Sequence, residues 1–214
     1  MNRRLKLFAP AFLAVLALAA ASASAAGAFA QFGAETYPAS ISGEQTESFK
    51  FESEIGTVVC KGASFSGSLS GASSQLSLAP TFKECTTSGT AVTVESGGCS
   101  LLSHEAKEVG EKEFESTVDV SCAGGGAIKV HLLLGCQVTF AAQVNLSDIH
   151  WNIDLSIPPR LELVSQIAKL QGKLEDTPGK KCLLGNKTVT FSAGGKASIG
   201  ARDINFKPTG MFLK

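Results

Sequence analysis

The chain has 214 residues, 44% of them hydrophobic and 18% charged, with 19 basic side chains against 19 acidic ones. That length suits one large domain or two small ones. The even charge balance argues against a nucleic-acid partner, because affinity for phosphate backbones rests on clustered Lys and Arg.

Residues 1–25 read as a signal peptide. Arg3, Arg4 and Lys6 precede an apolar run from Leu7 to Ala21, and Ala23-Ser24-Ala25 fits a small-x-small cleavage site, with Ala26-Gly27-Ala28 as a second candidate. The run is about 15 residues, short of the roughly 20 that span a bilayer as a helix. Cleavage without stable membrane insertion is therefore expected. Losing those three cations leaves a mildly acidic exported chain. Residues 26–35 read as a flexible N-terminus, and 36–214 as the exported domain, with a possible lobe boundary near 141–148.

Short alternating runs separated by Gly, Ser, Asn or Pro fill that domain, the pattern of an all-β antiparallel β-sandwich. Phe49 and Phe51 flank Lys50; Ala63, Phe65, Gly67 and Leu69 alternate with polar residues, mostly serines; Leu76 and Leu78 continue. Val118, Val120 and Cys122 lead through Ala123-Gly124-Gly125-Gly126 to Ile128, Val130, Leu132 and Leu134, which reads as a hairpin. Cys136, Val138 and Phe140 follow. The cleanest alternation is Ile149, Trp151, Ile153, Leu155 and Ile157. In Arg160–Asp176 the leucines fit helical spacing, but Gly172 and the β-rich surroundings favour a strand. Val189, Phe191 and Ala193 form a late strand, and Ile199 with Ala201 another.

All six cysteines, Cys60, Cys85, Cys99, Cys122, Cys136 and Cys182, follow the leader. An even set in an exported chain implies three disulfides, here stapling the β domain, and a secreted, extracellular or cell-envelope location. Cys60–Cys85 is the first pairing expected, since two intervening strands return the chain to its start; the others stay open among the 15 possible connectivities. Zinc needs ligands at short spacing, and neither a close cysteine pair nor a CxxC redox motif is present. No metal or other cofactor is expected.

Thr36-Tyr37-Pro38-Ala39, Ser42-Gly43-Glu44-Gln45, Gly56-Thr57-Val58-Val59-Cys60-Lys61 and Phe65-Ser66-Gly67-Ser68-Leu69 carry a further signal, as do Gly98-Cys99 and Val118-Asp119-Val120-Ser121-Cys122. Across Thr36 to Phe140 the chain resembles a family of uncharacterised secreted β-rich proteins multiplied in some soil actinobacteria. The resemblance implies export, β structure and paired cysteines. It supplies no activity and no catalytic residue.

One row of residues is a candidate ligand face. Asp148, His150, Asn152 and Asp154 alternate with the apolar residues around Trp151, so they project from one side at intervals of about 7 Å. Such a row could touch a cation or a sugar, although that spacing prevents all four from sharing one ion. His104-Glu105 opens an acidic stretch through Glu108, Glu111, Glu113 and Glu115, interleaved with Lys107 and Lys112, which reads as a charged hairpin rather than a calcium loop. No Gly-x-Ser-x-Gly elbow stands between strand and helix, and only His104, His131 and His150 could serve a serine triad. Asn145-Leu146-Ser147 and Asn186-Lys187-Thr188 match the glycosylation pattern and read as chance. The sequence thus points to a non-catalytic protein with a binding or structural role, which binds a cell-wall polymer, a surface partner or its own copies, or serves purely as a coat or matrix protein. The alternative is a glycan-directed secreted hydrolase with scattered acids.

Overall fold

Alternating apolar residues drive almost every part of the chain into strands, and the computed structural model describes residues 29–214, the side chains of 147 and 148 excepted. The expected signal peptide lies outside the described residues. The strands are β1 (Phe29–Ala30), β2 (Phe32–Ala34), β3 (Ala39–Ser53), β4 (Gly56–Leu69), β5 (Leu76–Thr87) and β6 (Thr90–Glu95). Next come β7 (Cys99–Ser103), β8 (Ala106–Gly110), β9 (Glu113–Cys122), β10 (Ile128–His131) and β11 (Cys136–Phe140). The last are β12 (Gln143–Asp154), β13 (Arg160–Asp176), β14 (Lys187–Arg202), β15 (Pro208–Thr209) and β16 (Met211–Leu213). The protein is all-β, and Arg160–Asp176 is a strand with its apolar residues buried.

Where a two-sheet sandwich is the sequence expectation, hydrogen-bonded pairing instead runs around a closed barrel. β13, β14, β3, β4 and β5 pair in that order; β6, β10 and β11 then return the ladder to β13, closing eight strands. The long strands make this closure possible and allow it twice. Near its start, β5 pairs with β7, and β7, β9 and β12 lead back to the other end of β13. Two rings therefore stack along five shared strands. At 17 residues, β13 spans about 55 Å, enough to serve both rings.

Three short connections carry the chain between the rings: 96–98, 123–127 and 141–142. The second corrects the expected hairpin. β9 pairs with β7, β8 and β12, and β10 pairs with β6 and β11, so the glycine-rich segment is a crossover between rings. Its glycines serve close backbone approach: a Cβ at Gly126 would strike the carbonyl oxygen of Gly97, and one at Gly97 the carbonyl of Ala127. A side chain bridges the seam where the wall ladder lapses. Gln143 donates from Nε2 to the Gln171 carbonyl (2.9 Å) and accepts from the Gln171 N–H (2.7 Å), imitating a strand pair.

Inside, Phe65, Phe49, Phe82, Phe51, Phe140 and Phe191 form a chain of ring contacts, with successive centroids 5.0–6.2 Å apart. Trp151 is buried in the lower ring and donates from Nε1 to Ser116 Oγ (3.0 Å) and Ser103 Oγ (3.3 Å), which lie 2.7 Å from each other. Within the stretch expected to be a flexible lead-in, Phe29–Ala30 and Phe32–Ala34 form β1 and β2. β2 pairs with β16 and plugs the lower pole; Phe32, Ala34, Met211 and Leu213 are buried, and Phe32 meets the Trp151 ring edge-on at 5.2 Å. Burial of these apolar side chains outweighs the entropy of ordering the terminus. The Trp151 alternation also ends sooner than its sequence suggests: β12 stops at Asp154, and Leu155 and Ile157 are exposed in the following loop.

All six cysteines are paired, as Cys60–Cys85, Cys99–Cys122 and Cys136–Cys182. The first two staple residues already opposite each other in ladders, β4 to β5 and β7 to β9. The third ties the β13–β14 connection to β11. Three such bonds fit an oxidising environment. Among the described residues, no helix is long and apolar enough to cross a membrane.

Candidate functional site

In the row singled out on β12, His150, Asn152 and Asp154 each meet a separate partner. His150 Nδ1 lies 3.6 Å from Glu115 Oε1 on β9; Asn152 Nδ2 donates to Glu162 Oε2 on β13 (3.1 Å). Asp154 Oδ1 accepts the Ser156 N–H at 3.0 Å, so this carboxylate shapes the turn that ends the strand. Asp148 belongs to the same strand. Strand geometry spreads these positions along the wall, and flanking strands supply partners to His150 and Asn152. Among the described residues, no group of three or more His, Cys, Asp or Glu side chains is placed to hold a metal ion.

A better cleft forms where an edge changes partner. β7 and β8 both pair with β9, separated by a break at His104-Glu105, and β1 adds to the far side of β8. The break and the β4–β5 loop enclose about 520 Å³, lined by Ser74, Gln75, His104, Glu105, Lys107 and Glu115, with Phe29 alongside. The Phe29 side chain is 64% exposed. The acidic stretch noted in the sequence thus becomes the β8–β9 hairpin, and its opening residues form one wall of the cleft.

His104 is held from both sides. Its Nε2 donates to Asp119 Oδ2 (2.8 Å), and Gln75 Nε2 donates to its Nδ1 (3.2 Å), a pairing satisfied by the tautomer with the proton on Nε2. Asp119 Oδ1 also accepts the Asn145 N–H at 2.8 Å. Both ring nitrogens of His104 are thus hydrogen-bonded to side chains of the chain itself, which fixes the ring at the rim of the cleft. His131 stands apart, 3.3 Å from Glu95 at the end of β10. Sequence reasoning missed Phe29, Gln75 and Asp119. The exposed Phe29 lies just beyond the leader, and nothing local distinguishes it from a core residue.

Two other hollows are less suited to a ligand. A depression of about 470 Å³ lies where β14 bulges at Gly194-Gly195, beside Glu47 and Lys196. The Glu47 carboxylate, 2.7 Å away, raises the Lys196 pKa by hydrogen bonding, and the two charges answer each other. An apolar cavity among Phe49, Phe51, Phe82 and Ile167 measures only about 30 Å³. Comparisons with family models, curated proteins and solved structures gave no match.

Proposed function

We propose that the protein is an exported, non-catalytic binding protein of the cell envelope or extracellular space, whose cleft beside Phe29 holds a polyhydroxylated wall polymer. The observation that carries this reading is an exposed aromatic ring at the edge of a cleft otherwise lined by amide, imidazole, carboxylate and ammonium groups. Sugars offer an apolar ring face and a rim of hydroxyls, and such a site supplies a surface for the first and partners for the second. Three disulfides support the extracellular setting.

Co-sedimentation with isolated cell wall, competed by soluble glycans, tests the reading. Phe29→Ala should weaken retention by roughly tenfold, the scale of one good aromatic contact. Gln75→Ala should weaken it too, by releasing His104. Because Phe29 is exposed, its truncation should leave thermal unfolding unchanged. Retention indifferent to both substitutions defeats the cleft reading, and release of cleaved sugars would replace binding with the hydrolase alternative.

A further inference from the structure

At the pole opposite the plug, two loops present leucines to solvent. Leu133 (42% exposed) and Leu134 (58%) lie between β10 and β11, and Leu183 (75%) and Leu184 (46%) between β13 and β14. The loops are fastened together. The Cys136–Cys182 bond joins their bases, Thr177 donates its N–H (2.9 Å) and hydroxyl (3.0 Å) to the Gly135 carbonyl, and the Leu183 N–H reaches the Leu134 carbonyl (3.4 Å). Leu134 has a φ of +60°, a conformation that glycine or asparagine accepts far more readily than leucine. An exposed leucine there gains little burial to offset its backbone cost, so the fold does not account for it.

Charge supplies the second observation. Residues 132–135 and 177–186 contain Lys180 and Lys181, both exposed, and no acid. Carboxylates on the adjoining strands and turn are already committed. Glu175 lies 2.7 Å from Lys173, Glu54 lies 2.8 Å from Lys187, and the Asp176 carboxylate accepts the Cys182 N–H at 2.9 Å. Hydrogen bonds from Lys173 and Thr139 hold the Glu175 pKa below its ordinary value, keeping that pair charged. Among the described residues, no carboxylate lies within ion-pair distance of Lys180 or Lys181.

We propose that this pole docks the barrel onto an anionic phospholipid surface, with Leu133, Leu134, Leu183 and Leu184 entering the headgroup–acyl boundary and Lys180 and Lys181 meeting lipid phosphates. Apolar side chains gain by leaving water at that boundary, and lysine stems can lie along it with their ammonium groups outward. The disulfide pre-orders both loops, so docking need not organise them.

Flotation of the oxidised protein with vesicles containing phosphatidylglycerol, or with phosphatidylcholine alone, tests this. Binding should favour the anionic vesicles, and Lys180→Gln with Lys181→Gln should reduce that preference by about fivefold per lysine. Leu183→Ser should weaken binding to both vesicle types, and Leu134→Asn should do so while unfolding at the same or a higher temperature, because asparagine suits the turn. Ile157→Ser, at the opposite pole, should change nothing. Absence of flotation, flotation indifferent to the leucine substitutions, or equal loss with Ile157→Ser would overturn the proposal. So would concentration-dependent dimers abolished by Leu183→Ser, which would assign the leucines to a second copy of the chain.

Discussion

Trp151→Ala should lower the unfolding free energy by about 3–5 kcal/mol, the usual cost of removing a large buried aromatic ring. The side chain is buried at the centre of the lower ring, so the vacated volume has little room to collapse. Two further losses add to the cavity. Phe32 loses its edge-on partner at 5.2 Å, loosening the β2–β16 plug, and Ser103 and Ser116 lose a shared donor. Trp151→Phe separates these effects. It keeps most of the ring, and the two hydroxyls still satisfy each other at 2.7 Å, so the cost should fall to about 1–2 kcal/mol. Urea denaturation of parent and variants measures both values. Equal stability of Trp151→Ala and parent would contradict the packing described.

The second large effect belongs to Cys136 and Cys182. Their separation of 46 residues is the longest of the three, and the chain-entropy relation gives about 4 kcal/mol for a loop of that length, against about 3.5 for Cys60–Cys85. Local consequences should differ more than these totals. Cys60 and Cys85 already face each other across the β4–β5 ladder, whereas Cys182 sits in a connection whose remaining ties are a few hydrogen bonds. Replacing both Cys136 and Cys182 by Ala should therefore speed amide exchange at Leu183 and Gly185 well before the barrel unfolds. Replacing Cys60 and Cys85 should lower global stability and leave the leucine-bearing loops protected. Identical exchange patterns in the two double variants would show that the third bond is not what holds that pole.

Much of the strand content is legible because burial of one wall face writes a period of two into the chain. Phe49 with Phe51, Ala63 with Phe65, and Val118 with Val120 all face inward as that period requires. Cys60–Cys85 is legible for a related reason, since two short runs with a return between them bring their ends together. Periodicity says which face is buried and not which strand lies alongside. Hence Cys122 and Ile128, with only five glycine-rich residues between them, read as a hairpin yet belong to ladders in different rings. The same blindness hides barrel closure: β5 and β13 must each be seen to pair with different strands at their two ends. The cleft was hardest to read. Phe29, Gln75, His104 and Glu115 come from four separate stretches, and only a broken edge strand brings them together. The β12 row shows the converse. Its residues do share a face, but a face continued by Glu115 and Glu162 on flanking strands offers neighbours instead of a vacancy.

The pairing of β2 with β16 sets a condition on biogenesis. One strand of that ribbon begins at Phe32 and the other ends at Leu213, so the lower opening cannot shut until segments 181 residues apart in the chain have met. Until then Trp151 lacks its aromatic neighbour and the interior stays wettable from below. Sealing of the core therefore waits on the pairing most distant in sequence, and a product lacking Met211–Leu213 would present an unstoppered end to proteases.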